Sequence, residues 1–163
     1  MLGPKECWPP TYIATVEYGR EEFAENELGD SLFSLDPGIS ICRTSYGGVL
    51  LVRTAVADEE LVVRTLSTAP PSSLRRLLKV IFCCHTSTLE RCIDENLGRF
   101  LTPPIRALRV SERSGITRKF IDHVLAKEPW RVTGGGSGRI LSVEPLGSEV
   151  CFTYQVFTKH PHR

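Results

Sequence analysis

The chain has 163 residues and a mass of 18.2 kDa, room for one ordinary domain or two small ones. Hydrophobic residues make up 41% and charged residues 24%, a balance that excludes global disorder and a coiled coil. The net charge of +1, taken by itself, argues against a nucleic-acid ligand, and the longest apolar run, five residues at Val80–Cys84, is too short to span a bilayer.

The start, Met1 to Pro10, has no apolar stretch behind a basic segment and does not read as a signal peptide. A soluble, cytoplasmic protein with no membrane partner is expected. Glutamine occurs once and asparagine twice, and arginine outnumbers lysine fifteen to five. Scarce amides point to a hot-growing source, although codon bias also supplies arginine. The six cysteines are free thiols in an ordinary cytosol and candidates for disulfides in a hyperthermophile.

Tyr12–Val16 is a short β-branched and aromatic run, read as a strand. Gly19 follows, then Arg20-Glu21-Glu22, whose acids suit the positive end of a helix. That helix runs to about Phe33 with Phe23, Ala24, Leu28, Leu32 and Leu35 on one side, and Asp36-Pro37-Gly38 stops it. Ile39–Arg43 and Val49–Arg53 are strands around a turn at Tyr46-Gly47-Gly48. Asp58 caps a helix carrying Leu61, Val62, Thr65 and Leu66, and Leu77–Phe82 is a further strand. The order β-α-β-β-α-β is the ferredoxin-like arrangement.

Ser87-Thr88-Leu89-Glu90 reads as a capping box before Leu89, Cys92, Ile93, Leu97 and Phe100 at helical spacing. Ile105–Val110 is a strand, and Ser114 caps a helix to about Lys127 with Ile116, Phe120, Val124 and Leu125 inward. A glycine-rich loop at Gly134–Gly138 precedes two last strands, Arg139–Glu144 and Glu149–Phe157. The expected fold is mixed α+β: a ferredoxin-like domain over 12–84 packed on a second unit over 85–158. Tails occupy 1–11 and 159–163, and the boundary falls near Cys83–Thr86.

Charge follows the same division. Residues 1–82 hold eight basic and eleven acidic side chains, a net of −3, and residues 83–163 hold twelve and eight, a net of +4. Within 105–139 the count is eight to three. Local potential, not the whole-chain sum, governs encounter with a polyanion. Arg106, Arg109 and Arg113 lie on or just after one strand, and Arg118 and Lys119 on the exposed face of the next helix. The helix start at Ser114 offers free N–H groups to a phosphate, and Lys127, Arg131 and Arg139 follow. The competing reading is a solvated face paired with Glu112, Asp122 and Glu128. Arg75, Arg76 and Lys79 form a smaller second cluster, read alternatively as an exposed linker.

The remaining candidates carry less. Cys83-Cys84-His85 with Cys92 lacks the spacing of a zinc site, since adjacent cysteines on a strand point to opposite faces. Burial as small hydrophobes is the better reading, with disulfides left open. Thr102-Pro103-Pro104-Ile105 resembles the Asp/Asn-Pro-Pro-Tyr motif of amino methyltransferases but lacks the acid or amide and the aromatic, and reads as a helix stop. No catalytic constellation, metal site or cofactor fingerprint is recognisable.

Three stretches resemble the THUMP-domain proteins of tRNA modification. Tyr18–Leu28 is similar to that family's opening Gly-Arg-Glu helix, and Tyr46–Arg53 to its Gly-apolar-Leu-Val-Arg strand. Leu108-Arg109-Val110-Ser111-Glu112-Arg113-Ser114 is similar to the Phe-Arg-Val-x-x-Arg strand before the THUMP basic helix, with Leu108 in place of the aromatic. The order of units resembles the stand-alone archaeal and eukaryotic type, the adaptor for tRNA cytidine acetylation. The resemblance covers about 12–157. It implies that the THUMP unit binds the tRNA acceptor end, with Arg109, Arg113, Arg118 and Lys119 as phosphate contacts. In the family the catalytic part is normally a separate fused domain, methyltransferase, thiouridine synthase, deaminase or pseudouridine synthase, and none is expected here.

The expectation is therefore a non-catalytic tRNA-binding adaptor, not itself an enzyme and without a cofactor. It would present tRNA to a separate modifying enzyme such as an RNA cytidine acetyltransferase. The alternatives are an RNA modification enzyme with an unrecognised Cys/His site, or a protein-interaction module using the acidic first half.

Overall fold

The computed structural model describes residues 5–100, 105–110 and 138–159. A 3-10 turn at Lys5–Cys7 precedes β1 (Tyr12–Val16), α1 (Glu21–Leu32), β2 (Ser40–Arg43), β3 (Val49–Arg53), α2 (Glu59–Thr68) and β4 (Leu74–His85). A second 3-10 turn, Thr86–Thr88, leads into α3 (Leu89–Phe100), followed by β5 (Ile105–Val110), β6 (Arg139–Leu146) and β7 (Glu149–Thr158). The fold is mixed α+β, as expected. The chain forms two compact units, Met1–Lys79 with Val156–Arg163, and Val80–Gln155. The division thus falls inside β4 rather than at 84/85, because β4 runs unbroken to His85.

In the first unit the strand order is β2-β3-β1-β4, and each neighbouring pair is antiparallel. Alternation along the strands sorts the residues. Tyr12, Ala14 and Val16 of β1, with Leu50, Val52, Leu74 and Leu77, meet Ala24, Leu28 and Leu32 of α1 and Val62 and Leu66 of α2 in one core. Asp58 caps α2 as expected, its Oδ1 accepting from Leu61 N at 3.2 Å. Phe23, expected on the buried side, is instead 48% exposed. It precedes Ala24 by one residue, about 100° around the helix, which turns it from the core.

In the second unit the order is β4-β7-β6-β5, with β6 antiparallel to β7 and parallel to β5. A parallel pair requires a crossover of roughly a dozen residues or more, and the chain between β5 and β6 has that length. The expected helix from Ser114 to Lys127 lies outside the described residues. Ile93, Leu97 and Phe100 of α3 pack with Phe82, Leu141, Val143 and Phe152. The Phe82 and Phe152 rings stack at 4.6 Å between centroids, and Phe100 meets Phe152 edge-on at 5.2 Å. The expected capping box is not formed. Ser87 sits in the 3-10 turn, where its N–H donates to His85 Nδ1 at 3.1 Å.

The cysteines are not simply buried hydrophobes. All six are paired, as Cys7–Cys42, Cys83–Cys151 and Cys84–Cys92. Strand alternation is the reason that adjacent Cys83 and Cys84 find different partners: one bonds to β7 and the other to α3. In the loop-entropy account the separations of 35, 68 and 8 residues correspond to about 4, 4 and 2.5 kcal/mol of unfolded-state destabilisation.

A thiol titration of the denatured, unreduced protein should therefore count no thiols, and six after reduction. The Cys7→Ser/Cys42→Ser pair should lower unfolding free energy by roughly 2–4 kcal/mol in a urea titration. Unchanged stability would show that this bridge constrains nothing.

Candidate nucleic-acid interface

Two of the expected phosphate contacts, Arg106 and Arg109, lie on β5, and Arg139 opens β6. In the parallel register Arg109 stands opposite Ser142, and Ile105 opposite Arg139. The Arg139 guanidinium lies 4.9 Å from the centroid of the Tyr154 ring. Arg113, Ser114, Arg118, Lys119, Lys127 and Arg131 lie outside the described residues, as do positions 102–104 and most of the glycine-rich loop.

The second basic cluster is built into β4 and not a linker. Arg75 is exposed beside an irregularity in the β1–β4 register. Arg76 stands opposite Thr15 and Lys79 opposite Tyr12, three positions apart and so on different faces. Lys79 Nζ lies 4.9 Å from the centroid of the Tyr12 ring. Arg76 and Lys79 therefore do not form one patch. Burial of Tyr12 pushes its phenol up to about 12, with Glu59 and Asp58 adding to the effect.

The two N-terminal stretches that carry the family resemblance meet at the β1–α1 turn. Glu21 Oε1 accepts from Gly19 N at 2.6 Å and from Gly48 N at 3.2 Å. These backbone donors, Gly19 first, hold the Glu21 carboxyl below the usual carboxylate range. Gly48 has φ +76°, and a Cβ there would stand 2.9 Å from the Val16 carbonyl oxygen. The Tyr18 ring lies where a side chain on Gly47 would be, so this glycine makes room for it. The Gly-Arg-Glu and Gly-Gly motifs are thus one structural clasp rather than two ligand loops.

Other acids of this region work similarly. Glu27 accepts from Ser72 N at 2.8 Å, Ser72 Oγ at 3.0 Å and Ser73 N at 3.2 Å. Burial pushes its carboxyl up, but these hydrogen bonds outweigh it and the net shift is downward. Asp36 accepts from Thr54 Oγ1 at 2.6 Å and Ala55 N at 3.0 Å, and is lowered chiefly by the Thr54 hydroxyl.

One polar group escaped the sequence reading. Glu144 is 1% exposed and accepts from Ser142 Oγ at 2.9 Å. Thr153 Oγ1 donates to the Ser142 carbonyl at 2.8 Å. The signal available was Ser142 and Glu144 alternating with Leu141 and Val143, which places both polar residues on one strand face. Among the described residues no group of three or more His, Cys, Asp and Glu is placed to hold a metal ion. No helix among them is long and apolar enough to cross a membrane.

No family model matches the chain, and no curated protein matches it. Solved structures do. TrmN from Thermus thermophilus superposes with TM-score 0.56 at 14% identity, covering 91% of this chain and 46% of that one. A predicted N6-adenine-specific DNA methylase from Listeria monocytogenes gives 0.51 at 15% identity, covering 90% and 40%. PH1313 from Pyrococcus horikoshii gives 0.52 at 12%, covering 91% and 55%. The chain thus spans about half the length of these proteins, and what it shares with them is the fold.

This overturns the expectation of a non-catalytic adaptor that is not an enzyme. Proteins described as methylases share this fold, the Listeria one among them, and a separate acetyltransferase partner finds no support.

The depressed pKa values of Glu21, Glu27 and Asp36 give stability that is full above the unfolded carboxylate pKa and lost as pH falls through the folded values. The Glu149 carboxyl, raised by burial against the opposing charge of His85, works in the opposite sense. Glu21→Gln should lower the melting temperature at pH 7 and shrink the difference between pH 7 and acid. Parallel melting curves for wild type and variant below the ordinary value of 4.5 would refute the clasp. Gly48→Ala should cost about 1–2 kcal/mol for the left-handed backbone alone, read by urea unfolding.

Proposed function

We propose that this chain is the RNA-engaging part of a methyl-transferring enzyme, with tRNA as the substrate class. One observation carries the reading: the fold recurs over 90–91% of this chain in TrmN and the Listeria methylase while accounting for only 40–46% of them. The THUMP-type sequence pattern supports tRNA as the nucleic acid, and the strand order β2-β3-β1-β4 supports a ferredoxin-like first unit. The second unit is the THUMP-like one.

In this reading RNA is held electrostatically. Arg109 lies on β5, Arg139 opens β6 and Arg106 sits at an irregularity in the β5–β6 register, while Arg113, Ser114, Arg118, Lys119, Lys127 and Arg131 continue the basic sequence after β5. Guanidinium groups grip phosphate oxygens in pairs, which fixes the RNA's position without reading its bases. Position is what methyl transfer needs, because the acceptor atom must be held in line with the donor carbon. We place the reaction in the cytoplasm of a hot-growing archaeal cell, a setting in which intracellular disulfides persist.

Binding to tRNA should weaken steeply with salt. With four or five phosphates contacted, log K against log salt should slope by about −3 to −4.5. Arg113→Ala/Lys119→Ala should weaken binding and flatten that slope by roughly 1.5. The protein incubated with tRNA and a radioactive methyl donor should transfer label to the tRNA. Absence of tRNA binding at low salt would sink the proposal. Binding without transfer of label would reject the methyl-transfer part of the reading.

A further inference from the structure

We propose that the outer face of α1 is a docking surface for a basic, apolar-anchored protein segment. This inference is independent of the RNA reading. Among the described residues the exposed large hydrophobics are Tyr18, Phe23 and Phe33, at 83%, 48% and 59% exposure. All three lie on α1 or within two residues of its ends or the turn before it. Single exposed apolar residues are ordinary, but their concentration on one element marks an interaction surface.

Helical spacing aligns them. Phe23, Asn26, Asp30 and Phe33 follow one another at intervals of three, four and three residues, so they share a stripe opposite Ala24, Leu28 and Leu32. Phe33 keeps helical backbone angles at the C-cap. Ten residues at about 1.5 Å rise place the two rings' helix positions roughly 15 Å apart. The Arg20 guanidinium covers one side of Phe23 at 4.5 Å, and Gly19, Arg20, Glu22, Phe23 and Asn26 line a shallow groove.

Charge decides the occupant. Three acids of α1 are engaged: Glu21 and Glu27 on backbone donors, and Glu25 on Arg43 at 3.2 Å. Glu22 and Asp30, which flank the phenylalanines, are exposed and make no ion pair among the described residues. Arg20 puts one cation at the Phe23 end, and the two rim carboxylates outnumber it. The stripe as a whole therefore repels phosphate and attracts Lys and Arg, which disfavours RNA and favours a cationic polypeptide. The partner that fits is an amphipathic segment whose apolar side chains pack against the two phenylalanines, about two and a half to three helical turns apart, with basic side chains beside them.

Fluorescence anisotropy with a labelled amphipathic helical peptide of leucine and lysine tests this, beside the same peptide with glutamate for lysine. The lysine peptide should bind at least about tenfold more tightly than the glutamate one. Phe23→Ala/Phe33→Ala should weaken it about tenfold, the loss expected for truncating anchors. Glu22→Lys/Asp30→Lys should reverse the preference. Both variants alter exposed side chains, so circular dichroism and tRNA binding should match wild type. Equal binding of the two peptides, or of wild type and the phenylalanine variant, would overturn the proposal. So would loss of tRNA binding by the phenylalanine variant, which would make the face a nucleic-acid platform.

Discussion

The carboxylates of α1 and the turn after it organise the first unit. A chain that leaves a strand, turns and enters a helix exposes backbone N–H groups that need acceptors. Glu21 supplies one to Gly19 and Gly48, Glu27 to Ser72 and Ser73, and Asp36 to Ala55. Each bond joins a helix or turn to a loop distant in sequence or completes a tight turn. The acidity of α1 is therefore mostly structural. Within this helix Glu22 and Asp30 are exposed and face a partner of opposite charge in the proposed docking.

The second unit depends on a different constraint. Adjacent Cys83 and Cys84 leave β4 on opposite faces and are tied to β7 and α3. The covalent ties sit beside the Phe82, Phe100 and Phe152 cluster, so the strand end and the helix are held by both packing and linkage. This limits how far α3 and β7 can separate before the aromatic core opens.

The functional reading turned on what the fold is shared with. Sequence pattern alone favoured an adaptor, since no nucleophile, metal set or cofactor loop is visible in it. The chain corresponds to less than half of TrmN and of the Listeria methylase, whose fold it shares. Motif absence therefore said where chemistry is not legible, not that the protein lacks it.

Local structure was written in the sequence wherever local physics decides it. β1, β3 and β5 fall on the expected residues, because alternation and β-branching act within a few positions. Asp58 caps α2 for the same local reason. Charge division between the halves was equally legible. Only the tertiary structure decided the rest. It took β4 past its expected end to His85, displaced the capping box, and divided Arg76 from Lys79. It chose disulfide partners across 35 and 68 residues, which spacing cannot rank. It also turned Phe23 outward and Glu21 inward, a choice set by which face of α1 the sheet covers.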